Sequence, residues 1–398
     1  MKTPFNARAP AFDAAAINAT IQRALASAGL DTAAGPVHNV TETIRRALAA
    51  GGLAQAAPTH DDESVIDVAA RVVPDGEATN AKVSRQPPGR EAPQRPGSFD
   101  THEFTAEAGS RSYKVYVPAG KPVSPRAMVV MLHGCTQSAD DFAAGTQMNR
   151  FADEHGVLVV YPEQAAHANA SKCWNWFKPQ DQRRGAGEPA LIAGIVREVA
   201  REQGADSRRI FAAGLSAGAA MAVVLGETYP ELFAGVGAHS GLPYGSAHDI
   251  PTALAAMKGG RSGMPGLKSA PDAAGPPRDR AVQAVPMIVF HGDRDHTVQQ
   301  TNGAHIVQQA RDAHGARAGA TPLHARTESG VTPAGQRFSR SVYADTDGQT
   351  RIESWTLHGA GHAWSGGHAS GTYTDSAGPD ASAEMVRFFM ALPPTGPA

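Results

Sequence analysis

"RIFAAGLSAGAAMAVVLG", Arg209 to Gly226, decides the fold. Its first third is a short apolar, β-rich run and its last half is an alanine-rich helical pattern, with Gly214-Leu215-Ser216-Ala217-Gly218 at the join. That join is G-x-S-x-G. A sharp strand-to-helix turn needs small flanking residues, lifts the serine oxygen above the end of a sheet and places it beside a helix N-terminus. Glycine and serine meet often by chance, so the weight of the motif comes from the strand before it and the helix after it. Ala217 and Ala219 keep the turn uncrowded.

Working outward, "YKVYVPA" alternates with period two, and "AMVVMLHG", "GVLVVYPE" and "PMIVFHG" join "RIFAAG" as short runs suited to buried parallel strands. Between them, "DDFAAGTQMNRFADEH", "EPALIAGIVREVARE" and "AAMAVVLGETYP" carry helical periodicity. Alternation of this kind predicts an α/β fold, a mostly parallel central sheet with helices on both faces. The stretch from Gly259 to Pro286, rich in glycine, proline and alanine, reads as an insertion rather than an element.

Upstream the chain changes character. "IQRALASAGL" (Ile21 to Leu30) is echoed by "IRRALAAGGL" (Ile44 to Leu53), each a short amphipathic helix pattern ended by glycine. Two copies do not make a repeat array. Such helices pack on their own domain, or dock on a partner or an apolar particle surface. From Pro58 to Phe99 the composition is polar and proline-rich, which predicts a disordered linker. The expected organisation is therefore a helical segment at 1–57, a linker at 58–100 and a catalytic domain at 101–398.

The chain has 398 residues, 41% of them hydrophobic, and a formal net charge of −2. This balance supports a sizeable core and gives no reason to expect nucleic acid or an anionic membrane as partner. No apolar run reaches transmembrane length. The N-terminus lacks the apolar segment of a secretory signal, which points to the cytoplasm and leaves secretion open. Cys135 and Cys173 are the only cysteines, compatible with one bridge or two thiols.

A serine hydroxyl becomes a nucleophile when a base takes its proton, so Ser216 demands an acid and a histidine downstream, in the order Ser, Asp or Glu, His. "VFHGDRDHTV" (Val289 to Val298) ends a strand in an acidic loop, and "SWTLHGAGHAWSGG" (Ser354 to Gly367) ends another in a loop with two histidines. Local pattern does not separate Asp293 from Asp295, or His358 from His362. His133, His239 and His291 read as loop or strand-end residues. The glycines between His358 and His362 argue against a helix that would turn both toward one metal ion, and no H-E-x-x-H is present. Acyl transfer also needs donors for an oxyanion. The Ala217 amide is one, and Cys135 or Thr136, in "LHGCTQ" (Leu132 to Gln137), supplies the second.

"MLHGCTQSADDFA", "VVYPEQ", "CWNWF", "GLSAGAAMA", "HSGLPYG", "HGDRDHTV", "GHAWSGG" and "TYTDSAGPDASAEMVRFF" together resemble the poly(3-hydroxybutyrate) depolymerase family of esterases, relatives of feruloyl and acetylxylan esterases. The resemblance runs from about Ser110 to Leu392. It implies an α/β-hydrolase fold and a Ser216, Asp295, His362 triad, since the family's H-G-x-x-D-x-x-V falls on Asp295 and its G-H-x-W on His362. Its H-G-C turn puts the second oxyanion amide on Cys135, beside that of Ala217. It implies that Trp174, Trp176 and Trp364 line the cleft, and it brings Cys135 and Cys173 into one cleft, where a bridge between them is expected. No cofactor or metal is implied.

The expected substrate is a polyester or a small ester, with plant polysaccharide esters as the alternative. A granule-surface binding role for the N-terminal helices is a reading of another class. A polymer synthase is disfavoured because those enzymes carry cysteine where this chain has Ser216. The chain ends soon after "MVRFFMALPPTGPA", without the separate substrate-binding domain of many secreted depolymerases, which puts attack on crystalline polymer in doubt.

Overall fold

The computed structural model describes residues 97–120, 126–260, 284–317 and 319–395. The two N-terminal helix patterns, the linker up to residue 96 and most of the predicted insertion lie outside the described residues. Ten strands form one sheet in the order β1-β2-β4-β3-β5-β6-β7-β10-β9-β8. They are β1 (Ser98–Ala106), β2 (Gly109–Val117), β3 (Arg126–Leu132), β4 (Leu158–Pro162), β5 (Ala205–Leu215), β6 (Gly235–His239), β7 (Met287–Gly292), β8 (His324–Val331), β9 (Arg337–Ala344) and β10 (Thr350–Leu357). The run from β4 through β10 is parallel, and antiparallel pairs close both edges. β1 starts inside the predicted linker, because Phe99 packs edge-on against Tyr116 and Tyr161 and draws the chain onto the sheet.

Period-two alternation divides the central strands between two cores. Met128, Val130 and Leu132 of β3 point to one face, with Leu158, Val160, Ile210, Ala212 and Val289 from its neighbours. Val129 and Met131 point to the other, with Val159, Tyr161, Phe211, Ala213 and Phe290. The first face is covered by α3 (Gly187–Gln203), α4 (Ala217–Thr228), α5 (Ile250–Met257) and α6 (Thr301–Gly315). The second is covered by α1 (Ala139–Thr146), α2 (Met148–His155) and α7 (Ala381–Ala391). One predicted helical run thus divides into α1 and α2 at Gln147, whose φ of 54° is left-handed.

This topology places the site. From β3 the chain passes through α1 and α2 to β4 on one side, then returns through α3 to β5 on the other. Connections leaving β3 and β5 therefore diverge to opposite faces, and a crevice opens above the ends of those two strands. The loops after β3, β5, β6, β7 and β10 all lie at this end. No helix among the described residues is long and apolar enough to cross a membrane.

Candidate active site

Ser216 sits between the end of β5 and the start of α4 with φ 57° and ψ −119°. Held conformations of this kind cost about 1–3 kcal/mol and persist only where the surroundings fix them. Here the Ser216 amide donates to the His239 carbonyl at 2.9 Å, and the Ser216 carbonyl accepts the first helical bond, from Ala220 N–H at 3.0 Å. The flanking glycines are steric requirements. A Cβ on Gly218 would overlap the Leu132 carbonyl, and one on Gly214 would meet Gly218. Ala217 opens α4, and the first amides of a helix have no partner within it.

The turn after β3 lies against this elbow, since a Cβ built on Gly134 would stand 3.7 Å from the Ser216 Cβ. Its amides are already sorted. Gly134 N–H donates to Gln137 Oε1 at 2.9 Å and Thr136 N–H donates to the Ser171 carbonyl at 2.7 Å. Thr136 is thereby removed as an oxyanion donor, while among the described residues the Cys135 amide has no acceptor. A disulfide joins Cys135 to Cys173 and fastens the turn to the loop after β4. His133, buried below the turn, is neutral: burial pushes its pKa down, its Nδ1–H donates to the Gly134 carbonyl and its Nε2 accepts from Gln164 N–H.

The loops after β7 and β10 bring Asp295 and His362 together, Oδ2 to Nδ1, at 2.7 Å. The Asp295 carboxylate is buried, and its other oxygen accepts from Thr297 N–H at 2.9 Å and Val298 N–H at 2.8 Å. Burial alone would raise its pKa. The bond from His362 and the loop amides outweigh that and hold it below the ordinary carboxylate value. The same two loops hold a second pair, Asp293 Oδ2 with His358 Nδ1 at 3.0 Å, about a third exposed on each side chain. The local ambiguity of the sequence is thus a real feature of the molecule, with both aspartates facing a histidine.

His239, which ends β6, ties these parts together. Its carbonyl holds the Ser216 amide, and its Nε2 accepts the Ser365 amide at 3.0 Å, three residues beyond His362. The ring stacks between Phe290 and Trp364. Burial, with His291 and His362 nearby, lowers its pKa to about 3, so it stays neutral, with Nδ1–H directed at Ser240 Oγ.

The three tryptophans expected at the cleft are all buried. Trp174 is fully buried, with its indole N–H on the His133 carbonyl at 3.1 Å. Trp364 is buried between His239 and Phe142, with its indole N–H on Ser382 Oγ at 3.1 Å. Trp176 is packed into the core edge-on to Phe177. Two of these indoles, Trp174 and Trp364, are enclosed with their N–H groups bonded, and all three rings brace the loops around the site from within the fold. Among the described residues the exposed aromatic ring is Tyr373, 48% accessible, at φ 52°, with its hydroxyl 3.3 Å from Thr136 Oγ1. Sequence reading missed it. The signal was present in "GTYTDSAG", a lone aromatic among turn residues. Among the described residues no three His, Cys, Asp or Glu side chains are grouped to hold a metal ion.

A mostly parallel sheet with a tight serine turn between strand and helix at its crest, and an aspartate–histidine pair on later strand ends, has the architecture of the α/β-hydrolase fold. The acetyl xylan esterase from Aspergillus awamori has this fold, with a TM-score of 0.56 over 74% of this chain and 100% of that one at 20% identity. More particularly, the chain belongs to the family described as Esterase PHB depolymerase, whose model matches residues 111–327. It is 33% identical over 264 residues to poly(3-hydroxyalkanoate) depolymerase C of Paucimonas lemoignei, covering 65% of this chain and 60% of that one. It is 35% identical over 130 residues to feruloyl esterase B of Neurospora crassa, covering 32% of this chain and 43% of that one. The chain therefore spans about half the length of these curated relatives.

Proposed function

We propose that the chain is a serine esterase that works through an acyl-enzyme on poly(3-hydroxybutyrate), its oligomers or short hydroxyacyl esters. His362, oriented by Asp295, takes the Ser216 proton as Oγ attacks the ester carbonyl. The Cys135 and Ala217 amides receive the oxyanion. His362 then protonates the departing alkoxide, and water, activated by the same imidazole, releases the acid and restores Ser216. The observation that carries this reading is the bonded Asp295–His362 pair on the loops after β7 and β10, above an elbow that holds Ser216 at φ 57°. Tyr373 is the aromatic group we assign to substrate contact.

The test is the initial rate of wild type and Ser216→Ala on p-nitrophenyl butyrate, 3-hydroxybutyrate oligomers, amorphous poly(3-hydroxybutyrate) and methyl ferulate. We expect serine-dependent release of 3-hydroxybutyrate, with a loss on the order of a millionfold in the variant. Equal rates in the two proteins would sink the mechanism. Similarity to feruloyl esterase B supports the second reading, a plant-ester esterase, and preference for methyl ferulate would select it. The N-terminal segment would add docking to a polymer granule or a protein partner, a role that survives Ser216→Ala and is lost when residues up to about Gln86 are removed.

A further inference from the structure

We propose that Asp293 and His358 form a splint that sets His362 against Asp295, so that both are positioning residues for the reaction. The inference rests on the reading of Ser216, Asp295 and His362 as the reacting groups. Asp293 lies two residues before Asp295 and His358 lies four before His362, so the second pair crosses the same gap one step earlier on both loops. Four bonds span that step. His358 Nδ1–H donates to Asp293 Oδ2 at 3.0 Å and Gly359 N–H donates to Asp293 Oδ1 at 2.7 Å. Asp293 N–H donates to the Leu357 carbonyl at 3.1 Å and Arg294 N–H to the Ala360 carbonyl at 3.0 Å. The backbones touch, since a Cβ on Gly292 would overlap the Ala360 carbonyl.

The splint is itself anchored outside the site. His358 Nε2 meets Ser339 Oγ of β9 at 2.9 Å, His358 N–H donates to the Arg337 carbonyl at 2.9 Å, and the Gln336 side-chain amide donates to the His358 carbonyl. Between His358 and His362 the chain is Gly359-Ala360-Gly361, with Gly359 at φ 81°. A base carried on so permissive a tether has its place fixed only from its ends. One end is the splint and the other is Ser365, whose amide rests on His239. Around the reacting imidazole stand Asp295, His239 and His291, and burial holds both of those histidines neutral, so no cation among them competes for the Asp295 carboxylate.

The trio Asp293, His358, Ser339 has the order of a proton relay without being a second reaction centre. Ser339 lies inside the ladders of β9 with β8 and β10, opposite Ser329 and Thr356, where backbone amides serve the sheet. Ser216, by contrast, has a helix start and a free turn amide beside it.

The experiment takes the full chain with Asp293→Ala, His358→Ala, His358→Gln and the Asp293→Ala/His358→Ala double variant, beside Ser216→Ala. Three quantities are read: kcat and KM on p-nitrophenyl butyrate, labelling of Ser216 by a fluorophosphonate, and the downfield proton resonance of the His362–Asp295 bond. We expect kcat to fall about tenfold in each alanine variant with KM within about twofold, because misplacement of a reacting group affects the chemical step. The double variant should be no slower than the slower single, the coupling of two groups acting as one unit. His358→Gln should recover part of the loss, since its amide can still donate to Asp293. The downfield proton should weaken when Asp293 is removed and return in His358→Gln.

Unchanged kcat and an unchanged downfield proton in Asp293→Ala would overturn the splint, as would additive losses in the double variant. Inactivity of His358→Ala as complete as that of Ser216→Ala would also overturn it, by making His358 the base. Failure of wild type to label or turn over would instead defeat the proposed reaction. The proton resonance, which needs no turnover, would still decide whether Asp293 and His358 set His362 against Asp295.

Discussion

Two aspartate–histidine pairs bridge the loops after β7 and β10 with nearly the same bond, 2.7 Å for Asp295–His362 and 3.0 Å for Asp293–His358. Their surroundings differ. The Asp295 side chain has no exposed surface and its second oxygen is spent on two loop amides, whereas the Asp293 side chain is 31% exposed and spends its second oxygen on one amide across the gap. Burial makes the first pair an electrostatic device, since a carboxylate out of water interacts strongly with whatever charge develops on its histidine. Exposure makes the second a mechanical one, worth little as an ion pair and useful through the backbone it aligns.

The sharpest break in this comparison comes from exchanging carboxylate for amide in each pair. Asp295→Asn should lower kcat by about 10³–10⁴-fold, because an asparagine at this place admits the wrong histidine tautomer and gives no charge to stabilise the imidazolium. The equivalent change at Asp293 should cost no more than the roughly tenfold loss of the splint. Steady-state kinetics on one ester decides this, and equal losses at the two positions would erase the distinction drawn from burial. The Asp295 carboxylate also makes stability depend on pH. The Asp295 pKa is held below its ordinary 3.8, so its ionised form stabilises the fold. That contribution is complete above about pH 4 and is lost as pH falls through the depressed value. Wild type should therefore lose stability on acidification below about pH 4 more steeply than Asp295→Asn, as read by denaturant midpoints.

Much of this is legible in the amino-acid sequence. The buried runs of β3, β4, β5 and β7 and the elbow at Ser216 carry strong local patterns, and the eight motifs point to the family that the match over residues 111–327 shows. β6 carried no such pattern. Its sequence, Gly-Val-Gly-Ala-His, has one strand former, Val236, set between two glycines because the α7 end of the chain crosses too closely for side chains there: a Cβ at Gly235 or Gly237 would strike Leu392 or Met385. The burial of the tryptophans is hard to read from sequence for a related reason. Whether an indole faces a cleft or a core depends on what packs over it, and Ser382, which takes the Trp364 N–H, lies 18 residues away. The choice between Cys135 and Thr136 rested on family pattern alone, and here on the bond from Thr136 to Ser171, a contact between loops.

The Cys135–Cys173 bridge sharpens the contrast between chemical and mechanical parts on the other side of the crevice. It closes a loop with a sequence separation of 38, which corresponds to roughly 3–4 kcal/mol of stabilisation through the unfolded chain. Reduction, or Cys173→Ser, should lower the denaturant midpoint accordingly. If the Cys135 amide serves the oxyanion as proposed, either change should also lower kcat about tenfold, and the loss on reduction should be reversed on reoxidation. Lost stability with undiminished kcat in the remaining folded protein would show that the turn is held by its own hydrogen bonds.

The smallest effect concerns Tyr373. Its ring stands exposed over the turn that carries the Cys135 amide, and the loop holding it is pinned by Gln137 Nε2 to the Thr372 carbonyl at 3.1 Å and by Thr372 N–H to Asp141 Oδ1 at 2.9 Å. A ring so placed, outside the core and on an anchored loop, is available to an apolar acyl or aryl group without cost to the fold. Tyr373→Ala should therefore raise KM a few-fold on 3-hydroxybutyrate oligomers while leaving kcat and the unfolding midpoint close to wild type, with Tyr373→Phe nearer to wild type than alanine. The same substitutions at Trp364 should do the reverse, since that indole is enclosed and bonded: stability falls by several kcal/mol for alanine, and activity follows the folded fraction. A Tyr373→Ala variant with unchanged KM across the ester panel would leave the crevice without its assigned aromatic contact and return the choice of substrate to the loops around Ser216.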